Sequence, residues 1–273
     1  MTQPLTVCIA DWPVTLTFAE RGDESRARFA ERYAEFLVPP QPSALALDVR
    51  VEPGPDFIPV AAGAWQINTR SRNGRIEFES YYESGWAEPA AGRGALTLRP
   101  QGDPENFLRV VYAWLCLNQG AVLLHACGVV RNGRGYVFFG PSGSGKTTTA
   151  RLSLDAGCTV LSDDLVILKK RGQPFWLHGV PFRGDLPEAP RINQSAPAQA
   201  VFALVKDSEH GISPMPAGES AARLASCAPF VMSQPSTARR VMEICADLAS
   251  SVPVRQLRFR RDPGFWRLID KLD

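Results

Sequence analysis

Through most of the first hundred positions apolar and polar residues alternate with the two-residue period of half-buried strands. Residues 5–9 and 14–18 read as paired strands around Asp11-Trp12-Pro13, 44–51 as another, and 94–99 as a further one. Residues 64–70 and 75–81 flank Asn73-Gly74, the dipeptide that best fits a two-residue hairpin turn. Residues 24–37 differ: apolar or small side chains at 29, 30, 33, 36 and 37 make one face of a helix that stops before Pro39-Pro40. Carboxylates and arginines interleave with the apolar positions of this half. That reads as the wet side of a sheet, or alternatively as a docking module for a protein or peptide.

The period then lengthens. Residues 104–117 place Phe107, Val110, Val111, Trp114 and Leu117 on one helical stripe, and Gly120 ends the helix. A continuous apolar strand over 121–130, a turn at 131–135 and a second strand at 136–139 lead into a glycine-rich stretch. A helix follows to about 155, then short strands at 158–161 and 165–168. Strands at 173–179, 200–205 and 254–259, helices at 220–228 and 236–250, and a closing helix from 262 complete the pattern. The proline-rich stretch 187–197 has no period and is either a substrate lid or a surface connection. The fold class expected is α/β, with a β-rich α+β module over 1–103 and a mixed-sheet domain over 104–273.

Composition narrows the function classes. A formal charge of +2 gives no global field for nucleic acid. No apolar run approaches the roughly 20 residues of a membrane helix, so no membrane partner is expected. Residues 1–12 lack a basic region followed by an apolar core, so no signal peptide is expected. The six cysteines form no C-x-x-C pair and sit mostly in apolar segments, which fits reduced core thiols in a cytoplasmic protein. His178 reads as structural.

The chemistry concentrates at Gly140-Pro141-Ser142-Gly143-Ser144-Gly145-Lys146-Thr147, which fits G-x-x-x-x-G-K-[ST] at every fixed position. An apolar strand precedes it and helical residues starting at Thr148 follow. Backbone N–H groups of such a loop and the helix N-terminus cradle phosphates. Lys146 is placed for the outer phosphates and Thr147 for Mg²⁺. ATP and Mg²⁺ are therefore the expected ligands. One helix later, an apolar strand ends in Ser162-Asp163-Asp164. Strand alternation points the two aspartates to opposite faces unless the backbone turns there. One is suited to holding Mg²⁺, the other to accepting a proton from an attacking hydroxyl. His125, in the apolar strand before the loop, reads by itself as a core histidine.

His125, the Gly-x-x-x-x-Gly-Lys-Thr loop and Leu161-Ser162-Asp163-Asp164 together resemble the catalytic core of bacterial HPr kinase/phosphorylase, over roughly 121–185. The resemblance implies a P-loop kinase core of the type shared with PEP carboxykinase. It also implies Asp163 as catalytic base with His125 near it and the transferred phosphate, Lys146 on the phosphates and Thr147 on the metal; Asp164 is then the carboxylate expected to hold Mg²⁺. The family's Gly-Lys-Ser-Glu is Gly-Lys-Thr-Thr here, so Thr148 replaces an acid. Its Glu-Ile-Arg-Gly signature survives at most as Phe182-Arg183-Gly184-Asp185, with Arg183 as the phosphate-contacting arginine. With its β-rich front half, the chain is similar instead to the divergent HPr kinase-like proteins of peptide-modifying clusters, including lasso-peptide kinases. That implies a serine or threonine of a small protein or peptide as acceptor, and oligomers whose interface the sequence does not reveal. The competing readings are a P-loop ATPase or a nucleotide-binding scaffold without transfer to a protein.

Overall fold

A computed structural model describes residues 3–19, 22–59, 66–182 and 184–272. The chain divides into two compact units, Met1–Leu115 and Cys116–Asp273, each built on a mixed sheet. Part of the strand expected over 64–70 and all of Arg183 lie outside the described residues.

The first unit opens with β1 (Leu5–Ile9) and β2 (Trp12–Phe18), then α1 (Asp23–Arg32), β3 (Leu37–Val38) and β4 (Leu45–Val51). It continues with β5 (Asn68–Arg72), β6 (Arg75–Glu79), β7 (Glu83–Glu88), β8 (Arg93–Leu98) and α2 (Glu105–Asn118), whose last three residues fall beyond the unit. The strands order as β3-β1-β2-β4-β8-β7-β6-β5. β4 runs parallel to both β2 and β8, and the other pairs are antiparallel. Asn73 and Gly74 both take positive φ, 52° and 78°, between the paired Arg72 and Arg75. This is the two-residue turn expected from Asn-Gly. The first hairpin turns one step earlier than expected, at Ala10-Asp11, again with both φ positive.

Helix α1 is shorter than the apolar spacing predicts. Tyr33 leaves the helical region, residues 34–36 form one 3₁₀ turn, and Leu37 and Val38 pair with Val7 and Thr6 instead. Sheet pairing overrides the helical period here. The N-terminus of α2 is held by carboxylates. Glu83 of β7, fully buried, accepts from Asn106 Nδ2 at 2.8 Å and from the Phe107 amide at 3.0 Å, and Asp103 accepts from the Glu105 amide at 2.9 Å. These serve N–H groups that have no partner inside the helix. Arg32 bridges Asp103 and Glu105.

The second unit contains β9 (Val122–Arg131), β10 (Arg134–Phe139), α3 (Lys146–Asp155), β11 (Thr159–Ser162), β12 (Leu165–Lys170), β13 (Phe175–His178) and β14 (Ser195–Lys206). β15 (Gly211–Pro214), α4 (Ala217–Ala225), α5 (Pro235–Ser251), β16 (Val254–Phe259) and α6 (Trp266–Ile269) complete it. The long strands β9 and β14 each serve two sets of neighbours. β10 pairs with β9 on one side and with β14, in parallel, on the other, while β12 and β13 connect β9 to β14 by the opposite route. The strands thus close on themselves, and β16 and β15 extend the sheet beyond β14. Stacked Phe138 and Phe202 from β10 and β14 sit in the buried core with Phe259, Phe265 and Trp266. Burying such rings contributes roughly 1.5–3 kcal/mol each.

Because β10, β14 and β16 run parallel, their C-terminal ends lie together, where α/β sheets bind ligands. No helix among the described residues is long and apolar enough to cross a membrane.

Candidate functional site

The loop 140–145 leaves the end of β10 and enters α3. Gly143 and Gly145 take φ of 77° and 109°, which side-chain-bearing residues rarely adopt. A Cβ at Gly145 would also lie 2.7 Å from Cζ of Phe259, so the loop packs directly on the end of β16. Pro141, Ser142 and Gly143 are exposed, and Thr147 and Thr148 are partly exposed in the first turn of α3. The Ser144 hydroxyl is buried with no partner among the described residues. Lys146 is buried, and its Nζ donates to the carbonyls of Gly140 at 3.1 Å and Pro141 at 3.3 Å. Burial lowers its pKa from the ordinary lysine value. The ammonium therefore lies at the start of the loop.

The two aspartates sit where the chain passes from β11 to β12, both of which pair with β9. A one-residue bulge between Val160 and Ser162 shifts the register, and the Ser162 hydroxyl accepts from the amides of Asp164 and Leu165, each at 3.2 Å. The backbone does bend at 163–164, and the aspartates take different partners. Asp163 is 4% exposed, hydrogen-bonds Thr147, and accepts from the Asp185 amide at 3.0 Å. Gly184 closes over it so tightly that a Cβ there would lie 2.1 Å from Asp163 Oδ1. Burial raises the Asp163 pKa above the usual carboxylate value, against the lowering effect of the Thr147 bond.

Asp164 stands on the other side, its Oδ1 3.2 Å from Nε2 of His125. His125 pairs with Leu165 across β9 and β12, and its amide donates to the Cys227 carbonyl at 2.8 Å. With 44% of its side chain exposed, it is not the core histidine that its apolar strand predicts. His178, by contrast, is buried in β13.

Next to His125 opens a cavity of about 540 Å³. It is lined by the start of the loop, residues 140–142, and by the segment joining α4 and α5, with Cys227 and Pro229. Phe139 and Leu204 supply apolar floor, and Arg223 of α4 contributes a guanidinium. The Cys227 thiol is pushed up from the usual cysteine value by burial and hydrogen-bonds the Gly140 backbone.

The structure thus brings together His125, Lys146, Thr147, Asp163 and Asp164 with the loop. Sequence reasoning missed the Asp185 amide, Arg223, Cys227 and Phe259. Asp185 lies 22 residues from Asp163, Cys227 lies 102 from His125 and Phe259 lies 114 from Gly145, and no local motif marks these residues or Arg223. All six cysteines are free, and no group of three or more His, Cys, Asp or Glu suited to a metal occurs among the described residues.

Among solved structures, the HPr(Ser) kinase/phosphatase from Coxiella burnetii aligns over 55% of this chain and 92% of its own, at 14% identity and a TM-score of 0.31. No curated protein matches. The model of the family described as SynChlorMet cassette protein ScmC matches residues 105–272, which take in the glycine-rich loop, both aspartates and His125. The chain belongs to the ScmC family.

Proposed function

We propose that the chain is an ATP- and Mg²⁺-dependent phosphotransferase acting on a serine or threonine hydroxyl of a small protein or peptide. The observation that carries this reading is the division of the adjacent carboxylates, Asp163 on Thr147 and Asp164 on His125. It separates a nucleotide side from an acceptor side around one lysine.

The residues fit the ligands. Loop amides, two positive-φ glycines and a helix N-terminus suit a polyphosphate. Thr147 and Asp163 offer the hard oxygens that Mg²⁺ prefers, and Mg²⁺ commonly takes its remaining ligands from water and phosphate. Bound there, Mg²⁺ supplies positive charge against the outer phosphates. We assign Asp163 to the metal side and Asp164 to the acceptor side, the reverse of the roles expected from the resemblance. Asp163 is closed in by Gly184, so an acceptor hydroxyl reaches Asp164 and His125 more readily.

The acceptor oxygen attacks the γ-phosphorus as the bond from that phosphorus to the bridging oxygen breaks, and ADP leaves. The hydroxyl proton passes to the His125–Asp164 pair. Lys146 offsets charge on the transferring group. Incubation with γ-labelled ATP, Mg²⁺ and serine peptides tests the proposal. Label on the peptide, abolished by Lys146→Ala, is expected. Label released only as free phosphate makes the protein an ATPase; ATP binding with neither product makes it a scaffold.

A further inference from the structure

The 540 Å³ cavity beside the loop is too large for a hydroxymethyl group alone and lies in the size range of pockets that enclose whole ligands. Its position decides what it holds. Lys146 Nζ, which reaches outer phosphates, is bonded to Gly140 and Pro141, and these residues with Ser142 form the cavity wall. The α-phosphate and nucleoside belong at the other end of such a loop, toward the helix. The cavity is therefore on the acceptor's side, with His125 on its rim.

Its lining states the acceptor's chemistry. Phe139, Ala203, Leu204, Ala228 and Pro229 ask for an apolar group. Among the described residues no carboxylate lines it, and Arg223 is the one permanently charged side chain that does. Arg223 is paired with Glu219 at 2.7 Å, one helical turn away, with both side chains nearly half exposed. Such a pair contributes only a few tenths of a kcal/mol and exchanges readily for an incoming carboxylate. The planar guanidinium favours that exchange.

Resting on the phosphotransferase reading above, we infer that the cavity selects the acceptor: it takes a hydroxyl residue on a short extended peptide segment carrying an apolar neighbour, and Arg223 reads an acidic residue on that segment. Arg223 is a specificity-determining residue that does not touch the reacting atoms.

Two serine-centred octapeptide libraries of matched apolar content, one with glutamate and one with lysine fixed beside the serine, test this on the full chain. Phosphate incorporation is followed with γ-labelled ATP, and binding separately by fluorescence anisotropy in the presence of ADP·Mg²⁺. The glutamate library is expected to be preferred by about two- to fivefold in both readouts, the size of a partly exposed ion pair. Arg223→Glu should reverse that preference while leaving ATP affinity unchanged. The site is half exposed on a helix, so the variant should fold, and an unchanged melting temperature checks it. Incorporation without any charge preference overturns the role of Arg223 and leaves the phosphotransferase standing. Faster labelling of free serine than of either library overturns the peptide acceptor. Binding without incorporation overturns the phosphotransferase reading and keeps the peptide cavity. Neither binding nor incorporation overturns both.

Discussion

Glu83 gives the structure its sharpest pH prediction. Its carboxyl is fully buried in the first unit, and burial raises its pKa from 4.5 to about 8, against the lowering effects of its bonds from the Phe107 amide and Asn106. Neighbouring Asp103 and Glu105 raise it further. The folded chain therefore holds a proton that the unfolded chain has released between about pH 4.5 and 8. With more protons bound in the folded state, stability falls as pH rises through that window. A gap of about 3.5 at 1.36 kcal/mol for each tenfold gives about 5 kcal/mol as the ceiling of the loss. Asp103, also raised by burial, adds to the slope in the same direction.

Glu83→Gln removes the titration while keeping shape. The amide oxygen keeps one acceptor, and Asn106 can turn its own oxygen toward the new NH₂. The wild type should lose stability steadily from pH 5 to 8, and the variant should lose much less. Two units make a single melting curve hard to interpret. Hydrogen exchange measured by mass spectrometry, peptide by peptide and corrected for intrinsic rates, follows β7 and the start of α2 directly. If the variant's protection declines with pH as steeply as the wild type's, Glu83 is ionised in the fold and the reasoning fails.

Lys146→Ala should weaken ATP·Mg²⁺ binding, read by calorimetry, because its ammonium faces the loop where phosphate is proposed to sit. Gly184→Ala must displace Asp163, since its Cβ would overlap a carboxylate oxygen; a stability loss of about 1–3 kcal/mol and impaired phosphotransfer are expected. His125→Ala should slow transfer with little change in melting temperature, and an equal loss of stability and activity would return it to a structural role. Asp164→Asn should lower the transfer rate by on the order of 10²–10⁴ at any Mg²⁺ concentration, whereas the Asp163→Asn defect should be partly relieved by high Mg²⁺. The opposite pattern across a magnesium series would restore the roles the sequence implies.

What could be read from the sequence was local. Asn73-Gly74 and Asn132-Gly133 each sit between paired residues with both φ positive, because the turn geometry is a property of those two residues alone. The loop 140–147 is legible for the same reason. β7 was missed because Glu-Ser-Gly-Trp-Ala-Glu inverts the usual pattern: the glutamate at 83 is buried under the N-terminus of α2, while Trp86 is only half-buried beneath the Arg75 guanidinium. β15, four residues with two exposed, carries too little apolar periodicity to be seen. The wall of the cavity was also hidden. Arg223 and Cys227 reach the loop only because β14 runs parallel to β10 and the α4–α5 connection folds back onto His125, a relation between segments about a hundred residues apart.

The aspartates mark the boundary between the two kinds of information. Strand alternation does not by itself account for the different partners of Asp163 and Asp164, because the backbone bends at 163–164, between β11 and β12. Which of them meets the loop depends on one extra residue at the bulge between Val160 and Ser162. Past the bulge, Ser162 opposite Gly128 and Leu165 opposite His125 keep one register, and without it the inward and outward positions after Val160 would be exchanged. The bulge is held by Ser162, whose hydroxyl takes the amides of Asp164 and Leu165 that the ladder leaves over. Serine is common in strands and turns alike, so nothing in Leu161-Ser162-Asp163-Asp164 announces the bulge. The different partners of two adjacent and identical side chains thus go with a backbone feature, which the pairing of β9 with both β11 and β12 makes visible.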